Sequence, residues 1–225
     1  MTPASPNPPQ PPGRPRTPTP RRPVTPVPRP LPPRPDRWVD RAIRLLTRTR
    51  AEWSAIAAVP MTPDTIYRTF VLPMAALGPI AGTIGTIVSG GERTSLAGTY
   101  TLSPVSAVAA GAFEYAFNLG AIWVLALLID RLAPAFQAHQ GRVDALKVAA
   151  FGATPYWVGG LLAIVPKLAP VGLLVGAYSL RLYALGLGQL MRAPGERVLS
   201  YTLAVGAASL VLVLLASAVL LIFTS

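Results

Sequence analysis

The sequence contains no cysteine, a single histidine and few charged residues. Without cysteine, neither a disulfide framework nor a thiolate metal site can form, and one histidine excludes a histidine-rich metal site. Charged residues account for 13% of the 225 residues, whereas soluble domains average roughly 25%. Hydrophobic residues account for 52%. This composition predicts one membrane domain with a tail rather than a soluble globular domain.

Motifs that carry common enzyme chemistry are also lacking. The sequence has no glycine-rich phosphate loop, no His-Glu-x-x-His and no Gly-x-Ser-x-Gly. A hydrolase with its active site inside the membrane would need either a nucleophile and a base or a pair of aspartates within the spans. Asp130 and Asp144 have the basic neighbours Arg131 and Arg142, so we interpret them as boundary residues of a solvated loop. We therefore expect no enzymatic activity and no cofactor.

The net charge of +11 is concentrated towards the N-terminus. Twelve of the 20 lysine and arginine residues lie in the first 68 residues, ahead of the first long apolar segment. Basic charge beside a membrane segment is typical of the orientation signal and of attraction to anionic lipid. No basic and aromatic signature of a nucleic-acid-binding fold accompanies this charge. We expect the lipid bilayer as a partner, with anionic lipid at the cytoplasmic face, and no nucleic acid.

Residues 1–35 contain sixteen prolines and few aliphatic residues. Such a segment has no core to bury, which predicts a disordered cytoplasmic tail rich in polyproline II conformation. It also lacks the continuous apolar stretch of a secretory signal. Residues 29–35 have the Arg-x-x-Pro-x-x-Pro spacing that SH3-type grooves recognise. This pattern also arises by chance in so dense a proline tract, and a basic tether is the simpler interpretation.

Residues 36–60 predict two short amphipathic helices at the membrane interface. In the first, apolar residues recur at helical spacing from Trp38 to Leu46, and arginines occupy the opposite side. Because this helix is too short and too charged to span, we expect it in the headgroup region, packed on the cytoplasmic ends of the spans, or both. Residues 49–52 have capping-box spacing for the second helix, and Thr62-Pro63 repeats the start signal. The candidate lipid-surface contacts are Arg37, Trp38, Arg41, Arg44 and Arg48.

Residues 61–225 predict an all-α, five-helix transmembrane bundle. The expected spans are about 69–89, 105–129, 148–165, 168–191 and 199–223, and the third and fourth are each long enough to cross a hydrocarbon core of about 30 Å. The third and fourth form a helical hairpin against which the others pack. In the first span, Gly78, Gly82 and Gly85 allow a neighbouring helix to approach closely, and Pro73 and Pro79 bend it. Residues 90–103 are interpreted as a small loop with little charge.

Counting basic residues predicts the orientation. Seventeen lysines and arginines lie in the N-terminal region, in residues 130–147 and in residues 192–197. The opposite side holds only Arg93 and Lys167, and Arg181 lies within a span. The positive-inside rule therefore predicts a cytoplasmic N-terminus and, with five spans, a C-terminus outside.

Two ionisable residues lie within predicted spans. Glu114 is roughly 14 Å and Arg181 roughly 20 Å below the outer ends of their helices. The two depths predict that the side chains face each other as an intramembrane pair. Such residues are functional candidates, but a structural ion pair or snorkelling of Arg181 towards the cytoplasm explains them without transport and is the favoured interpretation.

Several segments of the chain form a distinctive series of motifs. Residues 129–136 read Ile-Asp-Arg-Leu-Ala-Pro-Ala-Phe, and residues 145–148 read Ala-Leu-Lys-Val. Thr-Pro-Tyr-Trp-Val follows at 154–158 in the third span, and tyrosine segments follow at 178–180 and 183–187 in the fourth. In this order and spacing they resemble the Yip family, membrane proteins named for their interaction with Ypt/Rab GTPases. The candidate family-motif residues are Asp130, Pro134, Lys147, Thr154, Pro155, Tyr178, Tyr183 and Gly186.

The resemblance implies five helices with a cytoplasmic N-terminus. Eukaryotic members are linked to vesicle traffic, and no reaction carries over to bacterial members. Eighteen arginines against two lysines suggest a GC-rich bacterium, hence the cytoplasmic membrane. We expect a scaffold or adaptor in membrane organisation or trafficking, with homo-oligomers or other membrane proteins as partners. The alternative is a small-solute or ion permease that uses Glu114 and Arg181, although the family pattern has an uncharged residue at Arg181.

Overall fold

The computed structural model of the protein describes residues 37–95 and 98–224, so the predicted tail of residues 1–35 lies outside the described residues. Within these ranges the chain is helical except for one two-stranded sheet. This confirms the prediction of an all-α polytopic fold.

The chain begins with two short helices, α1 (Trp38–Thr47) and α2 (Thr49–Ala58). Their apolar faces are covered by the rest of the protein, because Leu45, Trp53 and Ile56 are fully buried. The packed arrangement expected as one alternative is therefore present. The predicted capping box does not form: α2 starts after Arg48 without a side-chain cap, and the Glu52 carboxylate binds arginines of α1 instead.

The first long helix runs from Pro63 to Val88 in four pieces. These are α3 (Pro63–Ile66), a π-helical turn (Tyr67–Val71), α4 (Leu72–Ala75) and α5 (Leu77–Val88). Thr62 accepts a hydrogen bond from the Thr65 backbone N–H, which confirms the predicted helix start. The irregularities precede Pro73 and Pro79, which offer no backbone N–H to continue the α-helical ladder.

The expected loop after this helix contains a β-hairpin. Strands β1 (Glu92–Ser95) and β2 (Gly98–Thr101) are antiparallel, with Arg93 opposite Tyr100. Gly91 leads into β1 with φ of 100°, and its carbonyl accepts a hydrogen bond from the Leu102 backbone N–H. A side chain at Gly91 would be strained by this backbone conformation and would also collide with the Leu102 carbonyl.

Helix α6 (Pro104–Leu132) then returns through the bundle and ends in a 3₁₀ turn (Ala133–Phe136). Next come α7 (Arg142–Gly152), α8 (Thr154–Gly160) and 3₁₀ turns at Leu161–Ile164 and Pro166–Leu168. Helices α9 (Ala169–Ala177), α10 (Ser179–Gln189) and α11 (Gly195–Thr224) complete the fold.

Among the described residues, four helices are long and apolar enough to cross a membrane: Pro63–Val88, Pro104–Phe136, Pro166–Gln189 and Gly195–Leu220. By length and composition, the predicted count of five membrane spans is therefore too high by one. The third predicted span, residues 148–165, is divided among α7, α8 and a 3₁₀ turn. It is interrupted at Ala153, just before the proline at 155, and its polar Thr-Pro-Tyr segment lowers its hydropathy.

The stretch from α7 to the 3₁₀ turn that ends at Ile164 contains this interruption, but it nevertheless runs the length of the bundle. At its start, the Gly141 backbone N–H bonds Asp130 near the end of α6. At its other end, the Ala163 carbonyl lies against Gly85, one turn before the end of α5. We call the end with α1, α2 and residues 137–141 the basic end, and the end with β1 and β2 the hairpin end.

The core is centred on an aromatic cluster on the basic-end side. Phe151 packs with its ring centroid 4.7 Å from that of Phe70 and 6.4 Å from that of Trp53. Trp157 extends the cluster from Phe70 towards the hairpin end, at 6.3 Å between ring centroids. This cluster joins α2, the first long helix, α7 and α8 into one unit.

Candidate functional site

A buried ion pair joins the β-hairpin to the middle of α6. The Arg93 guanidinium reaches inwards from β1, and its Nη2 lies 2.5 Å from Oε1 of Glu114. The side chain of Arg93 is 9% exposed and that of Glu114 24% exposed. Gly82 of α5 lies directly against the guanidinium, where a larger residue would crowd it. Burial at such low exposure requires this pairing, since an isolated charge there would be costly.

The ion pair lines one end of a cavity inside the bundle. This cavity has a volume of about 200 Å³ and is bounded by Asn118, Tyr156 and residues of α5, α8, α9 and α11. A second cavity of about 380 Å³ adjoins it, and the two share Asn118, Tyr156 and Trp157. The second has a mostly apolar lining that includes Leu173 of α9 and Leu210 of α11. Together they form an interior space that is charged at one end and apolar at the other.

Arg181 is not part of this site. Its guanidinium carbon lies 5.6 Å from the centroid of the Tyr178 ring, one turn earlier in the chain. The buried positions of α10 include Leu182, Tyr183 and Gly186, whereas Arg181 is on the exposed face. The partner of Glu114 is thus Arg93 rather than the predicted Arg181, because the side chain of Arg181 points away from the interior.

Arg93 is the functional residue that the sequence analysis missed. The sequence predicts only that Arg93 lies in a small loop with little charge on the side opposite the N-terminus, and it does not predict how that loop folds. The available signal was a lone arginine in a segment of Thr, Ser and Tyr residues that favour strands, followed by Gly98 at a turn. A hairpin there directs alternate side chains towards the bundle.

At the basic end, the predicted lipid contacts divide into two groups. Arg41 and Arg44 turn inwards, with their Nε atoms 3.4 and 2.6 Å from carboxylate oxygens of Glu52. Arg41 also lies over the Phe151 ring. Arg37 and Arg48 are exposed, and Trp38 is half-buried. The structure therefore leaves these last three at the surface and places the first two in a protein contact.

Lys147, one of the family-motif residues, fastens α2 to α7. Its Nζ donates hydrogen bonds to the carbonyl oxygens of Ile56 at 3.3 Å and Val59 at 3.1 Å, and it lies 3.6 Å from Asp144 Oδ1. A cation at the C-terminal end of α2 satisfies carbonyls that have no partner within that helix. Lys147 is buried, and this contact explains how its charge is accommodated.

Asp130 and Pro134 shape the turn between α6 and α7. Oδ1 of Asp130 accepts a hydrogen bond of 2.9 Å from the Gly141 backbone N–H. Pro134 lies in the 3₁₀ turn, and its carbonyl accepts from the Gln137 N–H. The His139 N–H then bonds the Met191 carbonyl at 2.7 Å, so this turn is tied to the end of α10.

The other family-motif residues sit at helix junctions. The Thr154 hydroxyl donates to the Phe151 carbonyl, and Pro155 lies in the first turn of α8. Tyr183 packs on Gly152 of α7, and Gly186 accommodates the Trp53 indole. Tyr178 precedes α10 and carries the Arg181 contact. Within the described ranges, no group of three or more His, Asp or Glu side chains is placed to hold a metal ion.

The bundle of long apolar helices, with its buried ion pair and charged end, defines a polytopic α-helical membrane protein. Residues 43–217 match the Yip1 domain, and the chain belongs to this family. No curated protein and no solved structure matches the chain.

Proposed function

We propose that the protein is a non-enzymatic scaffold or adaptor in membrane organisation or trafficking. The observation that supports this proposal is the fixed position of α1 and α2 on the basic end. Lys147 holds the end of α2, and Trp53 is buried against Gly186. Helices α1 and α2 thus form a rigid platform at the membrane surface. Its exposed Arg37, Arg48 and Arg50 offer partners a defined binding face.

The same platform supports contact with anionic lipid at the cytoplasmic face. Each basic residue near an anionic surface contributes about 1 kcal/mol. In this arrangement the basic end is cytoplasmic, the C-terminus lies outside, and the membrane is the cytoplasmic membrane of a bacterium. Mass spectrometry of the protein released from mixed bilayers measures the lipids it retains. We expect the triple variant Arg37→Gln, Arg48→Gln, Arg50→Gln to retain fewer anionic lipids than Arg68→Gln, a control with an exposed arginine outside this platform.

A pull-down in mild detergent with quantitative mass spectrometry tests the scaffold function. The wild-type protein and Arg68→Gln should retain the same set of membrane proteins, which includes tagged second copies if the protein is a homo-oligomer. The triple arginine variant should lose members of that set. Equal recovery with all three proteins, or with an unrelated membrane protein as bait, would contradict the proposal.

A small-solute or ion permease is the second candidate, and the cavity beside Glu114 favours it. The charged residues proposed for the permease site are Arg93 and Glu114 rather than Glu114 and Arg181, because Arg181 faces away from the cavity. The test is solute or ion flux in proteoliposomes, with Glu114→Gln compared with Arg181→Gln. Flux that is lost only in Glu114→Gln would replace the scaffold proposal with this one.

A further inference from the structure

One donor of the buried Arg93 guanidinium has no partner. Nη2 binds Glu114, whereas Nη1 has no hydrogen-bond partner in the part of the chain that the structure describes. Arg93 is 8% exposed and is one of the residues that line the smaller cavity. A buried donor without an acceptor is costly, so the site favours a guest that carries an acceptor oxygen.

The charge balance of the site selects the kind of acceptor. Glu114 already neutralises Arg93, and these are the charged side chains that line the cavity. An anionic guest would therefore leave a net negative charge in a medium of low dielectric constant, at a large cost. A neutral oxygen, such as an ester carbonyl or a hydroxyl, satisfies Nη1 without that cost.

The adjoining cavity accommodates an apolar chain. Its volume of about 380 Å³ lies within the usual range for small-molecule sites, about 300–1,000 Å³. Its walls include Leu173 and Gly176 of α9, and Gly206 and Leu210 of α11. On the same two helices, Leu174 and Val211 are 73% and 53% exposed, as expected of side chains that face hydrocarbon. The apolar cavity is therefore bordered by two helices that also carry exposed apolar side chains on their outer faces.

We propose that this interior space binds a neutral, single-chain lipid. Its ester carbonyl or hydroxyl accepts a hydrogen bond from Nη1 of Arg93, and its acyl chain occupies the apolar cavity between α9 and α11. This site is distinct from the basic-end platform and does not depend on the scaffold function.

Photo-labelling of the full-length protein in detergent tests the site. The reagent is a monoacylglycerol with a diazirine in its acyl chain, and peptide mass spectrometry locates the label. We expect label on segments that contain Leu173 and Val213, which both line the space. Unlabelled monooleoylglycerol should compete about tenfold or more better than octadecene, which has no acceptor oxygen, and better than oleate, which is anionic.

Two variants separate the polar and apolar halves of the site. Ala216→Phe places a ring where both cavities meet and should abolish labelling, whereas Leu215→Phe on the exposed face of α11 should not. The double variant Arg93→Met, Glu114→Gln removes the donor without leaving a charge, and it should remove the advantage of monooleoylglycerol over octadecene. Full labelling of Ala216→Phe, or equal competition by octadecene or oleate in the wild-type protein, would overturn the proposal.

Discussion

The contact between Arg93 and Glu114 replaces the solvation that each charge loses on burial. The two residues are 21 positions apart and come from a strand and a helix, so the pair forms only when the β-hairpin folds against the bundle. Because Arg93 is buried and Glu114 is partly buried, each charge depends on the other. The pair therefore contributes to the position of the hairpin as well as to the charge of the cavity.

Removing one member of this pair should cost more than removing both. We expect Arg93→Gln or Glu114→Gln to lower the free energy of unfolding by about 2–3 kcal/mol, and the double variant to lose less than either single variant. Thermal unfolding in detergent of the wild-type protein, the two single variants and the double variant measures these losses. As a control, the stability losses of Arg181→Gln and Glu114→Gln should add up in their double variant, since the structure places Arg181 away from Glu114. Additive losses at Arg93 and Glu114 would contradict the pairing.

Lys147 makes a second prediction at the residue scale. Lys147→Met keeps the aliphatic stem but leaves the carbonyls of Ile56 and Val59 without their donor, which should cost about 2 kcal/mol. Hydrogen exchange should accelerate in α2 while α11 is unchanged. The matched control is Lys167→Met, a change at the only other lysine of the sequence, near the hairpin end. Equal exchange in α2 of both variants would show that Lys147 does not fasten this helix.

At the scale of elements, the helical hairpin of α8 and α9 depends on glycine. Gly159 and Gly172 face each other so closely that an added Cβ on either would overlap the carbonyl of the other. In a membrane such close backbone approach provides van der Waals contact that the hydrophobic effect does not supply. Gly85 of α5 makes a similar approach to the carbonyls of Ala163 and Ile164.

Gly172→Val should therefore separate α8 from α9. We expect a loss of about 1–3 kcal/mol, typical of an overpacked contact, and a lower unfolding temperature in detergent. Gly120→Val in α6 is the control, because no atom lies within 4 Å of a Cβ added there. If both variants melt at the same temperature, the close packing at Gly172 contributes nothing.

Local signals in the sequence predicted most of the helical elements. Thr62 and Pro63 marked the start of the first long helix, and the glycines of its second half indicated a helix contact that the structure contains. The predicted start at residue 69 was late, because the cap leads directly into the span. The apolar residues of 148–165 predict one helix, whereas the structure divides it between Gly152 and Thr154, just before Pro155.

Long-range contacts were the part that the sequence could not provide. Depth along a helix placed Glu114 correctly within the bundle but could not show which face of α10 carries Arg181. Likewise, the arginine pattern of α1 did not reveal that Glu52 would attract Arg41 and Arg44, because that contact needs the bend after Thr47. In each case the deciding factor was a partner from another element.

At the scale of the whole molecule, charge and packing are distributed unevenly between the two ends. The basic end contains the docked helices, the Lys147 contact and the aromatic cluster. The hairpin end contains the buried ion pair and the cavity. We propose that the basic end lies in the cytoplasm and that residues 142–164, although less apolar, cross the membrane in addition to the four apolar helices.

Reporter fusions along the chain test this arrangement most directly. One reporter fluoresces only in the cytoplasm, and the other is a phosphatase active only outside it. After Gln140 at the basic end, we expect fluorescence and no phosphatase activity. After Ser225, we expect phosphatase activity and no fluorescence, because the proposed arrangement has five crossings: the four apolar helices and residues 142–164. Stable expression with fluorescence at both positions would contradict the fifth crossing and the proposed orientation of the C-terminus.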